Sequence, residues 1–164
     1  MFDLSDVPEE QLPYVGILQS VIGMIDTNNY AYGELFNEIN MSTGGIGTSL
    51  EVYPNVTKVS EKEFKAAFEV KTKALYDKLP VAFQMIRELL MESKFEDEKR
   101  LEEILALLKS RLQMKFQSSG HMTAVLRAMS YRSPMSQFKD LTNGIAFYEK
   151  VCKIADHFEE EKAA

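Results

Sequence analysis

Between Pro8 and Ile25 two apolar stripes interleave: Val15, Leu18, Ile22 and Ile25 form one, and Ile17, Val21 and Met24 the other. A helix apolar on so many sides is a buried helix. Gly16, Ser20 and Gly23 fall at i, i+4 and i+7 along it. This strip of small residues predicts close approach by another element. Asp26-Thr27-Asn28-Asn29 supplies turn and cap residues. The helix that follows turns Leu35, Phe36 and Ile39 inward and ends at Gly44-Gly45, since glycine accepts the left-handed conformation common at a helix C-terminus. The period then switches from helical to two, with Ile46, Thr48, Leu50 and Val52 on one face and Gly47, Ser49, Glu51 and Tyr53 on the other.

A polar connection from Pro54 to Glu63 leads to a cleaner alternation. Phe64, Ala66, Phe68, Val70, Thr72 and Ala74 alternate with Lys65, Ala67, Glu69, Lys71 and Lys73, predicting one buried and one wet face in an antiparallel hairpin. Phe2-Asp3-Leu4 reads as the end of another strand, as if the pattern opened part-way through a domain of a longer protein. From Asp77 onward the pattern is helical. Pro80 opens a helix with Leu79, Ala82, Phe83, Ile86, Leu89 and Leu90 on its core face. A second begins at Phe95-Glu96-Asp97, turns Leu101, Ile104, Leu105, Leu108 and Leu112 inward, and is interrupted at Gly120. Met122, Val125, Leu126 and Met129 make a short amphipathic piece. Ser133-Pro134 opens a last helix carrying Phe138, Leu141, Ile145, Tyr148 and Cys152, and a charged tail frays from Glu159. The expected fold is α+β: a few-stranded antiparallel sheet packed against about six helices, with residues 1–164 forming one partial domain.

Composition narrows the function classes. A net charge of -6 excludes the basic face that nucleic acid requires. No run is long enough to cross a bilayer, and the acidic N-terminus lacks a signal-peptide pattern. The one cysteine, Cys152, cannot pair within the chain and lies on an apolar stripe, so it reads as a buried small hydrophobe. These features point to a reducing, cytoplasmic compartment.

Candidate chemistry is sparse. His157 reads as a solvated helix end, and His121, after Gly120, as a packing or capping residue. A zinc site needs three or four converging ligands. Glu96, Asp97, Glu98, Glu102 and Glu103 are interleaved with Lys99 and Arg100, the pattern of a solvated face. Gly44-Gly45-Ile46-Gly47 precedes a strand, whereas a phosphate loop needs a helix N-terminus behind it.

The ordered succession LPYVGILQSVIGMIDTNNYAYGELFNEINMSTGGIGTSLEVY, FEVKTKALYDKLPVAFQMIRELLMESKFEDEKRLEEIL, SSGHMTAVLRAMSYRSP and the Gly144-Ile145 helix resembles presequence-protease-like enzymes. These are the C subfamily of the insulinase/pitrilysin zinc metallopeptidases, peptidase family M16, with a LuxS/metallopeptidase-like fold. The resemblance covers nearly the whole chain and falls on the third domain, in the C-terminal, non-catalytic half. It implies two halves that close around an unstructured peptide, with zinc held in the N-terminal half by an inverted H-x-x-E-H helix and a more distant glutamate. Laid over that helix, Asp26-Thr27-Asn28-Asn29-Tyr30 matches its tail, with aspartate replacing a glycine. The histidine positions then fall on Ile17 and Val21, and the catalytic glutamate position on Ser20. The third-ligand position falls at or beyond Glu98.

Isoleucine and valine cannot ligate a metal, and serine does not replace the carboxylate that takes a proton from zinc-bound water. The expectation is a segment without catalytic, metal or cofactor residues of its own. It would complete the peptide chamber of a parent zinc endopeptidase, with the catalytic half and unstructured peptides as partners. An open strand edge could pair with a peptide or a second copy of the chain. Such a parent works in the cytoplasm or in an organelle. The alternative is a free-standing helical protein-interaction module.

Overall fold

The computed structural model describes residues 1–55 and 64–161, so most of the connection expected between Pro54 and Glu63 lies outside the described residues, as do 162–164. The elements are β1 (Phe2–Asp3), α1 (Leu12–Val21), α2 (Tyr32–Ser42), β2 (Ile46–Pro54), β3 (Phe64–Thr72), α3 (Leu79–Met91), α4 (Glu98–Ser130), α5 (Pro134–Asn143), α6 (Ile145–Asp156) and the one-turn α7 (Phe158–Glu161). Short 3₁₀ turns lead into α1 and α3, each of which carries a proline in its first turn. The class is α+β, with six helices of ten residues or more among the described residues.

The sheet is antiparallel throughout, in the order β1-β3-β2. Phe68 lies opposite Leu50 on one side and Phe2 on the other. Leu50, Val52, Phe64 and Ala66 pack with Leu12 of α1 and Phe138 of α5, so the helices cover the face that carries the even-numbered β2 and β3 residues. The opposite face is drier than its sequence suggests, with Ala67 only 2% exposed and Glu69 also buried. β3 is the middle strand of the sheet. Tyr53 donates its hydroxyl to Glu69, and Lys71 Nζ lies 2.6 Å from Glu69 Oε2. Lys71 and Tyr53 hold the Glu69 carboxyl below its usual range, and Glu69 in turn pushes the Tyr53 phenol up.

Two helix ends depart from expectation. α1 stops at Val21, not Ile25, because Gly23 turns the chain at φ +83°. Gly23 therefore serves the turn, while Gly16 does carry the close approach. A Cβ on Gly16 would stand 2.7 Å from Phe147 Cε2 and 2.8 Å from the Thr142 carbonyl. α2 ends at Ser42 with Thr43 extended, and the left-handed residue is Gly45 at φ +95°. Gly44 instead donates its N–H to the Lys73 carbonyl at 2.6 Å.

Phase also shifts where helices break. α4 runs through Gly120, with its one non-helical residue at Ser119 (φ -134°, ψ 34°). Beyond that kink Thr123 faces inward, and Met122, Val125 and Met129 are exposed. Ser133 stands at the α5 cap position, but its side chain makes no capping bond. The stripe that begins at Phe138 breaks at Gly144, and α6 then buries Phe147, Val151 and Ile154 in place of Ile145, Tyr148 and Cys152. Two expected core phenylalanines, Phe36 of α2 and Phe83 of α3, are exposed; Met85 and Glu88 take the inward places on α3.

Candidate functional site

α1 carries the positions singled out by the sequence. Val21 is buried with Ile25 and Ile104, and Ile17 bridges that cluster and the one formed by Leu112, Phe147 and Val151. The Ser20 hydroxyl donates to the Gly16 carbonyl at 3.1 Å, a bond within the helix. This stretch offers packing surface to α4 and α6 and no ligand atoms, so its residues do not fit zinc. Among the described residues no three His, Cys, Asp or Glu side chains converge on a common point.

The other candidates stay apart. His121 is exposed on α4. His157 caps the C-terminus of α6 with Nδ1 3.7 Å from Glu160 Oε2. Glu96, Asp97, Glu98, Glu102 and Glu103 are exposed. Asp97 caps α4 by accepting the Arg100 N–H at 3.0 Å, and Glu103 pairs with Arg100 at 3.1 Å. Cys152 is half-buried, not fully buried as its stripe predicts. Its thiol beside Tyr148 pushes that phenol up.

One buried carboxylate organises the turn between α1 and α2. Glu88 of α3 accepts Thr27 Oγ1–H at 2.6 Å and Asn29 Nδ2–H at 3.0 and 2.9 Å. Burial pushes its pKa up, but the hydrogen bonds from Thr27 and Asn29 more than offset this and hold it below the usual range. Asn28 N donates to the Glu92 carbonyl and Lys94 N to the Asp26 carbonyl, tying the same turn to the end of α3. The sequence pattern identifies the turn residues but not Glu88, which lies about sixty residues away in the chain.

The turn and β2 frame a groove of about 410 Å³. Tyr32 and Phe36 of α2 form one wall, Ile46 and Thr48 of β2 another, and Met24 and Arg100 close an end. Phe36, 63% exposed, is thus a wall residue. The Arg100 guanidinium lies 4.3 Å from the Tyr32 ring centroid, and its Nε donates to the Met24 carbonyl at 3.0 Å.

β2 has no strand on its outer side among the described residues. The direction of its free groups follows from the register. Leu4 N donates to the Ala66 carbonyl, so Ala66 turns its backbone groups toward β1. Antiparallel strands alternate bonded and non-bonded pairs, so Lys65, Ala67, Glu69 and Lys71 bond to β2. Their partners are Tyr53, Glu51, Ser49 and Gly47. Ile46, Thr48, Leu50 and Val52 therefore aim their N–H and C=O groups outward. A second, apolar hollow of about 440 Å³ opens beside β1, between Phe2, Phe68, Leu18 and Met91.

The chain is 31% identical over 153 residues to Protein HypA of Clostridium perfringens, covering 93% of this chain and 16% of that protein. It is 28% identical over 145 residues to the mitochondrial presequence protease of Drosophila melanogaster, covering 88% of this chain and 14% of that one. The mitochondrial presequence protease of Yarrowia lipolytica is 25% identical over 158 residues, covering 96% of this chain and 16% of that one. The chain thus spans about one-sixth of the length of these relatives. A crystal structure of a conserved protein from Enterococcus faecalis V583 superposes with a TM-score of 0.60 at 11% identity, over 94% of this chain and 38% of that one, a likeness of fold alone. The sequence profile of the associated region of M16 peptidases, subfamily C, matches residues 1–154, and the chain belongs to that peptidase-associated family.

Proposed function

We propose that residues 1–164 form part of a non-catalytic domain in a zinc-dependent peptidase that degrades unstructured peptides, with zinc held by a separate N-terminal half. The observation that carries this reading is the packing of Ile17 and Val21. They stand at the positions that the resemblance assigns to zinc-binding imidazoles, yet they fill the core between α1, α4 and α6. The segment then completes the chamber wall. Its contact with peptide is the outer edge of β2, where unpaired backbone groups stand ready to add a strand. Bacterial relatives favour the cytoplasm as the place of work, and mitochondrial ones an organelle.

The test is peptide hydrolysis with and without a chelator, in this chain and in a polypeptide that joins it to an H-x-x-E-H half. Chelator-sensitive cleavage in the joined protein alone is expected. Zinc-dependent cleavage by the chain itself would overturn the reading. The exposed row Met122, Val125 and Met129 on α4 favours a second reading, a helical interaction module. That reading gains if neither protein cleaves.

A further inference from the structure

The free edge of β2 is not uniform. At Thr48 it is already occupied from within: Gln19 Nε2 of α1 donates to the Thr48 carbonyl at 3.2 Å, and Thr48 Oγ1 donates back to the Gln19 carbonyl at 3.2 Å. Gln19 sits in the last turn of α1, where backbone carbonyls lack helical partners. The exchange satisfies one of those carbonyls and caps one outward acceptor of the strand. At the other end Pro54 has no N–H to offer. Between these limits Leu50 and Val52 keep both outward backbone groups unpartnered among the described residues.

We propose that Gln19 is a length-setting residue: it terminates the β2 edge so that an incoming extended peptide pairs with Leu50 and Val52 and goes no further toward Ile46. This rests on the peptide-pairing reading of β2 given above. The chemistry of the occupant follows from the register. Peptide residues hydrogen-bonded opposite Leu50 and Val52 carry their side chains on the same face as those two half-buried residues. Cross-strand pairing there favours β-branched or other apolar side chains at alternate positions. The intervening residue faces the polar side, beside Glu51. Without Gln19 at the edge, Thr48 becomes a further pairing position, and the groove walled by Tyr32 and Phe36 lies directly beyond it.

The test measures backbone amide exchange of Thr48, Leu50 and Val52 in the protein and in its Gln19→Ala variant. The probe is a peptide long enough to span β2 in which Val alternates with Ser. In the unaltered protein, peptide should slow exchange at Leu50 and Val52 and leave Thr48 unchanged. In Gln19→Ala, slowing should extend to Thr48, and the peptide should bind about fivefold more tightly through the added hydrogen bonds. Thermal melts of the two proteins verify that the variant folds. Slowing at Thr48 already in the unaltered protein, or none there in the variant, overturns the role of Gln19. Absence of slowing at all three amides in both proteins overturns the edge reading itself. Slowing that grows with protein concentration and needs no peptide assigns the edge to a second copy and overturns the peptide occupant.

Discussion

Arg127 Nη1 donates to Asp140 Oδ2 at 2.6 Å, and the carboxylate it meets is 2% exposed. The other carboxylate oxygen, Oδ1, accepts the Ile145 N–H at 2.9 Å. Asp140 thereby joins three helices: it lies on α5, pairs with the part of α4 beyond the kink, and caps the first turn of α6. Gly144, the cap position of α6, has no side chain for that task. A Cβ there would collide with Asp140.

Asp140→Ala should therefore cost more than an ordinary cap. Loss of the cap acceptor and of the partner of a half-buried guanidinium together predict a loss of about 3 kcal/mol in urea unfolding. Asp140→Asn keeps an acceptor for Ile145 N and should lose less. Equal losses in the two variants would mean that the ion pair, not the cap, dominates.

Two glycines in helices should respond in opposite directions to alanine. At Gly16 the new methyl meets a backbone carbonyl at 2.8 Å, which cannot swing away, so Gly16→Ala should lose about 1–3 kcal/mol. At Gly120 nothing lies within 4 Å of the same methyl, and φ is not positive. Gly120→Ala should gain about 0.5–1 kcal/mol by helix propensity and reduced freedom of the unfolded chain. Melting temperatures of the pair decide this. A gain at Gly16 would contradict the close approach of α1 to the α5–α6 junction.

Glu88 predicts an acid limb in stability. Its folded pKa lies below the usual carboxylate range because Thr27 and Asn29 donate to the ionised form. The contribution is fully present above the unfolded value of about 4.3 and is lost as pH falls through the lower folded value. Urea midpoints should thus fall on acidification below about pH 4.3. In Glu88→Gln the midpoint should be lower at neutral pH and the acid slope shallower. An unchanged slope would remove Glu88 as its source.

Installing an H-x-x-E-H motif at the α1 positions to which the resemblance assigns it should not produce a metal site. In the combined variant Ile17→His, Ser20→Glu, Val21→His, the position-21 imidazole replaces a side chain packed on Ile25 and Ile104. Burial of that polar ring without a partner costs about 1–3 kcal/mol. The expected outcome is a lower melting temperature with no rise on adding zinc. A zinc-dependent rise would show that the site is merely stripped of ligands, with the geometry retained.

Much of the architecture is readable from periodicity, because a period is a local property. The switch from helical spacing to alternation at Ile46 and the alternation at Phe64–Thr72 both form strands. The small-residue strip on α1 announces a close approach that Gly16 realises with Phe147. Departures lie where a single residue resets the phase. Ser119 and Gly144 do this in α4 and between α5 and α6, and the apolar residues after them change sides. Phe36 departs for a different reason: its spacing suits a core, but the space it faces is the groove beside β2.

By itself, then, the sequence determined the class of fold, the family, and the order of its elements as far as the start of α4, together with the isoleucine, serine and valine of α1 that the resemblance sets at the ligand and base positions. Only the tertiary structure decided which groups meet across distance in the chain: Glu88 with the Thr27 turn, Arg127 with Asp140, and Gln19 with Thr48. The physical reason is that hydrophobic spacing encodes which face of an element is buried, whereas a hydrogen bond between separate elements depends on packing angle and register. Neither quantity has a local signature, so the usable length of the β2 edge emerges only when α1 is laid against it.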